Sequence, residues 1–319
     1  MGRYSIGIDL GGTKILTSVI DKETGDVINS VKKKTKKEKG SEKIVRKIIS
    51  SINEVIDESS ISHHDIENIG LGAAGQIDRE QGIIINAPNL ELIDIPIKNI
   101  IEKEFNKNVF LGNDVEIATI GEMFFGAGKN ENDFVCVYVG TGVGSCIVQN
   151  GKIRYGVSGT AGEIGHITVA YNGRLCGCGA SGCLEAYASR LAIEKRILGE
   201  LKKGKKSDIE NYIKQDKPIK SGMIKKAIEC DDILVTHIIN EAASYLASGI
   251  SSIINFYNPS LIILGGGLIN AVDYFYDKTV EYAKQQALQI STDKTIFKKS
   301  KLGDYSGVIG AAMLCEYRK

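Results

Sequence analysis

The sequence predicts an α/β protein built as a duplicated fold, two halves with a cleft between them. Two observations carry that prediction. The first is YSIGIDLGGTKILTSVID at 4–21, where two apolar runs flank a Gly-Gly-Thr turn. The second is FVCVYVGTGVGSCIVQNG at 134–151, the same design of apolar strand, Gly/Thr turn and apolar strand. It begins about 130 residues after the first and shares little other sequence with it. Short apolar runs around glycine read as hairpin strands, and one device repeated at long range marks duplication.

The bulk composition agrees. A length of 319 residues suggests about two domains, each with room for a core. With 43% hydrophobic and 25% charged residues, the chain has the composition of a soluble globular protein. Forty basic residues face 39 acidic ones, so no general field attracts nucleic acid or an anionic membrane. No apolar run is long enough to span a bilayer. The start, MGRYSIGIDL, enters a strand pattern with no signal-peptide region, and Ile6 stands where a myristoylation signal needs Ser or Thr. The expected location is the cytoplasm, with all seven cysteines reduced.

In chain order, the first hairpin leads into the lysine-rich VKKKTKKEKG at 31–40, read as a solvated strand end and loop. Ser41 is the expected N-cap of a helix whose Ile44, Ile48, Ile52, Val55 and Ile56 share one face. A strand IENIGLGAAGQID, a strand-like GIIINAPN and a helix around IPIKNIIEKEF follow. Strand NVFLGN then feeds the helix DVEIATIGEMFFG, and the loop AGKNEND precedes the second hairpin. Beyond it come a Cys/Gly cluster at 176–183 and a polar helical region at 189–230. The long apolar helix DILVTHIINEAASYLASGISSIINFY stops at Asn258-Pro259. A buried strand SLIILGGG, a helix over 270–289 and a small-residue helix GVIGAAMLCEY, suited to close packing, complete the chain.

Three glycine patterns point to ligands with different force. GLGAAG (Gly70, Gly72, Gly75) matches a dinucleotide turn in spacing, but strand rather than helix follows it, so it reads as a turn or sugar-side loop. LGGTK opens no helix and is no Walker loop. In a hairpin, Gly11 and Gly12 can instead offer unblocked backbone N–H groups to phosphate, with Thr13 and Lys14 adding a hydroxyl and a charge. Asp9 is placed to hold Mg²⁺ directly or through water. The second hairpin, with Gly140, Thr141, Gly142 and Gly144, would serve phosphate in the same way. Gly265, Gly266 and Gly267, between strand and helix, would let a flat nucleoside approach the backbone.

CGCGASGC brings Cys176, Cys178 and Cys183 within eight residues, and His166 in GEIGH lies ten residues upstream. That is the ligand set of a structural Cys₃His zinc site, closed and unable to activate water. A redox pair or unrelated buried thiols are the rivals, and each leaves part of the set unexplained. The other cysteines, 136, 146, 230 and 315, read as core. Asp114 follows strand NVFLGN and starts a helix, so it is either a plain N-cap or a base at the sheet's carboxyl edge. Glu163 and Glu185 flank the cysteine cluster, which would fix their backbones for hydroxyl-rich ligands.

DLGGTK, GND before a helix, GTGVG, GEIGH and CGCGASGCLEAYAS together resemble the ROK family (repressors, open reading frames and kinases), and its glucokinase branch most. The resemblance covers essentially the whole chain. It implies an actin-like, ribonuclease-H-like ATPase fold with a nucleotide–sugar cleft between two lobes. The lobes would be residues 1–114 plus 305–319, and 115–304 with a zinc element at 163–185. The implied activity is an ATP-dependent hexose kinase, glucokinase foremost. Kinases for fructose, mannose, N-acetylmannosamine or N-acetylglucosamine, and a non-catalytic sugar sensor, share the framework. The implied base is Asp114, taking the proton of a sugar hydroxyl, typically the 6-OH.

The resemblance assigns Gly75, Asn89, Asn113, Glu163, His166 and Glu185 to the rest of the sugar, with His166 also a zinc ligand. The two hairpins would hold ATP phosphates, and Gly265–Gly267 would lie near adenosine. Two positions depart from the branch: Ala74 where Pro is frequent, and Leu92 near where Trp is frequent. Both are on the sugar side and bear on the choice of hexose. Eight residues precede Asp9, too few for the helix-turn-helix of ROK repressors, so DNA binding is not expected. A structural or chaperone ATPase would not need the Cys₃His element. Sugar and ATP are the expected partners, with a homodimer or higher homo-oligomer.

Overall fold

The computed structural model describes residues 2–35, 40–213 and 217–319. The chain groups into two compact units, Met1–Asn130 with Asp304–Lys319, and Glu131–Gly303. The first unit holds strands β1 (Tyr4–Leu10), β2 (Lys14–Asp21), β3 (Val27–Lys34), β4 (Ile66–Ala73), β5 (Gln76–Asp78), β6 (Ile83–Ala87), β7 (Leu92–Ile95) and β8 (Asn108–Asn113). The second holds β9 (Phe134–Val139), β10 (Val143–Gln149), β11 (Lys152–Ile153), β12 (Leu261–Gly265) and β13 (Ile296–Lys299).

The main sheets run β3-β2-β1-β4-β8 and β11-β10-β9-β12-β13. In each, three strands form an antiparallel meander and two more add parallel to its first strand. The duplication read from two hairpins therefore extends to the whole strand order. Strands β5, β6 and β7 make a separate antiparallel sheet within the first unit.

Glycine sets how closely the first unit packs. The helix Ser306–Ala312 lies on β1 and β4. A Cβ at Gly7 would sit 1.8 Å from the Val308 carbonyl oxygen, and one at Gly70 would sit 1.7 Å from that of Ala311. The same helix meets the helix Asp114–Phe124, where a Cβ on Gly310 would fall 1.6 Å from the Ile117 carbonyl oxygen. That contact explains why the first unit runs past residue 114, where the sequence suggests its boundary, through this helix to Asn130.

Most expected elements appear, with corrections. Gly40, not Ser41, occupies the cap position of the helix Ser41–Ser59, although its buried face is the expected one. The strand IENIGLGAAGQID breaks at Ala74–Gly75, where Gly75 takes φ 114° beneath the Asn86 carbonyl, so GLGAAG is a turn between β4 and β5. Asp232 caps the long helix Ile233–Tyr257 by accepting the Val235 N–H at 2.9 Å, and Asn258 closes it at φ 49°. The helix over 270–289 is three pieces, Gly267–Ala271, Asp273–Gln286 and Gln289–Thr292, and the final one breaks at Met313.

Strands β7 and β13, four residues each and partly exposed, carry too short a pattern to be read from sequence. Cys136 and Cys146 are core residues opposite each other on β9 and β10, whereas Cys230 is exposed and Cys315 only half-buried. Cys230 follows the last turn of the helix Ser221–Glu229, where its backbone N–H caps the helix and its Sγ lies 3.6 Å from the Tyr212 hydroxyl. Lys32–Lys34 end β3, while 36–39 of the lysine-rich stretch, and 214–216 of the polar helical region, lie outside the described residues. Among the described residues, no helix is long and apolar enough to cross a membrane.

Candidate active site

In the first unit, β1 delivers Asp9 and then turns at residues 11–13 into β2. The turn is pinned from both sides. Gly11 N–H donates to the Lys14 carbonyl at 3.0 Å, and Thr35 donates its N–H to Thr13 O and its hydroxyl to Gly11 O, both at 3.1 Å. Gly12 and Thr13 remain exposed, and Gly12 lies against the Asn89 side chain, so a Cβ there would be 3.2 Å from Asn89 Cβ. The hairpin and Asn89, which the family resemblance assigns to the sugar, therefore meet within one unit.

Leu10, Ala73 and Asn113 form one row across β1, β4 and β8. Asp9, one position short of that row, and Asp114, one position beyond it, consequently stand at the same carboxyl edge on strands separated by β4. Burial pushes the Asp9 carboxyl up to about 6, the Asp114 charge adds to that, and Lys14 opposes it. Burial also raises Asp114, against the pull of the Val115 N–H. The helix does not need Asp114 as its cap. Asn113 does that work: its side-chain oxygen accepts the Val115 N–H at 3.0 Å, and Glu116 accepts the Asn113 N–H at 3.1 Å, a complete capping box. Asp114 is the first helical residue; its carboxylate shares the Val115 N–H at 3.0 Å and is also held by the Asn113 side chain.

Asp304 escaped the sequence reading. It faces Lys14 at 3.5 Å and its charge also raises Asp9, yet 290 positions separate it from Lys14 and no motif marks it. Arg79, Glu116 and Arg318, which surround the start of the Asp114 helix, were likewise not singled out. Only the capping-box spacing of Asn113 and Glu116 could have pointed to Glu116.

In the second unit, residues 140–142 join β9 to β10, closed by Gly140 N–H donating to Gly142 O at 2.9 Å. Glu185 reaches this hairpin: its carboxylate accepts the Val143 N–H at 3.0 Å, and a Cβ on Gly142 would come within 2.3 Å of the same oxygen. Glu163 is exposed just before the short turn Ile164–His166, which lies on β10 with Gly165 against the Val143 carbonyl. Gly144 is part of β10, and Ser145 on that strand donates its hydroxyl to Gly162 O. At the end of β12, Gly266 takes φ 91° and a Cβ there would fall 2.5 Å from the Val139 carbonyl oxygen, while a Cβ on Gly267 would meet open space.

His166, Cys176, Cys178 and Cys183 offer ligand atoms that all lie within 4.8 Å of one another. Cys176 Sγ is 3.8 Å from His166 Nδ1, and Cys178 Sγ is 3.7 Å from Cys183 Sγ. A disulfide would need about 2.05 Å, whereas the edge of a zinc tetrahedron with ~2.3 Å bonds is about 3.8 Å. The spacing suits a cation at the centre. Burial pushes the Cys183 thiol up to about 12, while the Ala180 backbone N–H lowers Cys178. Backbone bonds fold the loop back on itself, with Cys176 N–H to Ala180 O at 2.8 Å and Gly179 and Gly182 at positive φ.

Comparison with known proteins shows the family and the fold. The ROK family model matches residues 5–318. A glucokinase of Halalkalibacterium halodurans is 32% identical over 99% of this chain and 96% of its own length. A xylose repressor of Caldicellulosiruptor bescii is 29% identical over 96% of this chain and 76% of its own. Among solved structures, a ROK family glucokinase from Streptomyces griseus, in complex with glucose and AMPPNP, is 30% identical, with a TM-score of 0.83 and 98% of both chains covered. The duplicated sheets are those of the actin-like ATPase fold, and the chain belongs to the ROK family.

Proposed function

We propose that this chain is an ATP-dependent hexose kinase with glucose as its acceptor, forming ADP and glucose 6-phosphate. The observation that carries the reading is Asp114, a carboxylate with a raised pKa at the sheet's carboxyl edge, relieved of capping by Asn113. Glucokinases among its relatives, and the glucose and AMPPNP held by the Streptomyces griseus protein, supply the substrate class.

In this reading Asp114 accepts the proton of the sugar 6-OH as the new bond to phosphorus forms. Its raised pKa brings it nearer neutrality, where a base of this kind is most effective. Gly75, Asn89, Asn113, Glu163, His166 and Glu185 orient the other hydroxyls. His166 turns Nδ1 to Cys176, which leaves Nε2 for the sugar. Backbone N–H groups of Gly11, Gly12, Thr13 and of 140–144 bind ATP phosphates with Lys14, and Gly265–Gly267 lie by the adenosine. Phosphoryl transfer asks mainly for such positioning and charge neutralisation.

Asp9 is the proposed Mg²⁺ residue. Asp9 feels the charge of Asp114, and such neighbouring carboxylates form the hard-oxygen set a divalent cation relieves. Mg²⁺ there would neutralise charge on the transferred phosphoryl group. The Cys₃His set is proposed to hold zinc. Four protein ligands leave it no open position, so its part is to hold the backbones before Glu185 and after Glu163 in place. A cytoplasmic homodimer or higher homo-oligomer completes the proposal.

The test is ADP release measured across a panel of hexoses and N-acyl hexosamines, with Asp114→Asn as control. Glucose-dependent turnover that falls by at least about a hundredfold in the variant, with glucose binding kept, is expected. Near-normal turnover in the variant would refute the base. The relative named as a xylose repressor favours one other reading, a sugar sensor. Sugar binding by calorimetry without turnover on any acceptor, together with retardation of DNA in a gel, would establish it instead.

A further inference from the structure

The buried carboxylate Glu116 connects more than the helix it caps. Its Oε2 accepts the Asn113 N–H at 3.1 Å and the Arg79 Nε–H at 2.8 Å. Its Oε1 lies 3.7 Å from Arg318 Nη2. The same guanidinium group of Arg318 donates to the Leu111 carbonyl at 2.5 Å and to the Arg79 carbonyl at 3.4 Å. Glu116 is 3% exposed, while the two arginines keep 23% and 24% of their side chains exposed. Taking a carboxylate this far from water is costly unless cations pair with it and donors fill its oxygens. Both are present.

The connections have a direction. Leu111 and Asn113 lie on β8, which aims the chain at Asp114. Arg79 follows β5, beyond the turn whose Gly75 carbonyl accepts a contact from Asn113 Nδ2 at 3.4 Å. Arg318 follows the helix Leu314–Tyr317. Arg79, Glu116 and Arg318, from three separate segments, are thus linked to Leu111 and Asn113 just ahead of the base, and each can be moved only by breaking a charged hydrogen bond. A guanidinium can serve a carboxylate and carbonyls together because its donors form a rigid planar fork, which an ammonium lacks.

We propose that Arg79, Glu116 and Arg318 form a positioning network that fixes Asn113 and Asp114 for proton abstraction, with Arg318 its specific anchor. None of the three touches the reacting atoms; they act through the backbone of 111–114. The proposal rests on the reading of Asp114 as base. A displacement of the base by about 1 Å is enough to cost on the order of a hundredfold in rate. Binding of ATP by the glycine hairpin does not run through these residues.

The test compares Arg318→Ala, Arg318→Lys and Glu116→Gln with the unaltered chain and with Asp114→Asn, reading kcat, KM for each substrate and thermal midpoint. Arg318→Ala is expected to lower kcat about ten- to a hundredfold with KM for ATP held within about twofold. Arg318→Lys, which keeps a cation but not the fork, should recover only part of that loss, and Glu116→Gln should resemble Arg318→Ala. Any of these that loses its fold is replaced in the comparison by Arg79→Lys, which weakens the same carboxylate from its more exposed side. Folded variants with kcat within about twofold of normal, beside an inactive Asp114→Asn, would overturn the network while leaving the base intact. Full turnover in Asp114→Asn would overturn the base, and the network's purpose with it.

Discussion

Glu185 accepts the Val143 N–H at 3.0 Å, which ties a carboxylate read as sugar-binding to the hairpin read as phosphate-binding. Val143 is buried, so its N–H has no access to water if Glu185 is shortened. Gly142 is needed for the approach, since a Cβ would come within 2.3 Å of the carboxylate. The two functions assigned to this unit therefore share one hydrogen bond.

Glu185→Ala is expected to destabilise the protein by about 1–3 kcal/mol, the cost of a buried donor left unmade. Glu185→Gln keeps an acceptor oxygen and should lose under about 1 kcal/mol while still weakening sugar binding. Urea unfolding of both variants, beside sugar titrations, checks this. Equal losses of stability in the two would show that the hydrogen bond does not matter.

Asp9 predicts a pH dependence of stability in the metal-free protein. Its folded pKa of about 6 lies above its ordinary 3.8, so between these values the folded state holds more protons than the unfolded one. The stability it contributes is fully present below pH 3.8 and is lost as pH rises through 6. Asp9→Asn should remove that component and be the more stable chain at pH 7 to 8, whereas Mg²⁺ should stabilise the unaltered chain alone. Thermal midpoints from pH 4 to 8 measure it. Parallel curves for the two chains would contradict the assignment.

The same logic places the acid limb of kcat. Asp114 acts as a base only when ionised, and burial raises its pKa, so turnover should climb with pH through a value above the ordinary carboxylate range. Because Asp9 and Asp114 interact, the limb reports the pair. A limb at pH 4 or below would show that the kinetically relevant carboxyl is not held in this environment.

Two classes of glycine should separate in mutagenesis. Gly7→Ala and Gly310→Ala drive a methyl into carbonyl oxygens at 1.8 and 1.6 Å, and should cost about 3 kcal/mol or more. Gly140→Ala and Gly267→Ala meet open space and should fold normally. If ATP lies against those backbones, both should nonetheless raise KM for ATP and leave sugar affinity alone. Unchanged KM would remove these loops from the nucleotide site.

Elemental analysis should find about one zinc per chain. Its removal by chelation should speed hydrogen exchange across 163–185 and raise KM for sugar more than for ATP. A protein free of metal as purified, with the same exchange protection in that segment, would exclude the zinc assignment.

Much of this site is readable without a structure because its devices are local. A hairpin needs only apolar runs around glycine, and a Cys₃His loop needs ligands within a few positions, as at 166–183. The buried face of the helix Ser41–Ser59 follows from spacing alone. Asn113 and Asp114 are both good caps by residue type, and only φ and ψ decide between them, giving the cap to Asn113. Strands β7 and β13 are not legible in the sequence because four residues are too few to carry a periodic signal.

Residue order is enough to specify the local chemistry: two glycine hairpins, a cysteine–histidine loop, and an Asn-Asp pair between strand and helix. Which of these meet depends on the folded arrangement of the sheets. Asp9 lies on the same edge as Asp114 because β4 inserts between β1 and β8, and Lys14 meets Asp304 across 290 positions. Arg318 reaches Leu111 and Glu116 from the far end of the sequence. Such contacts depend on strand order and on how closely glycine lets a helix approach the sheet. Neither is written in any single stretch of residues.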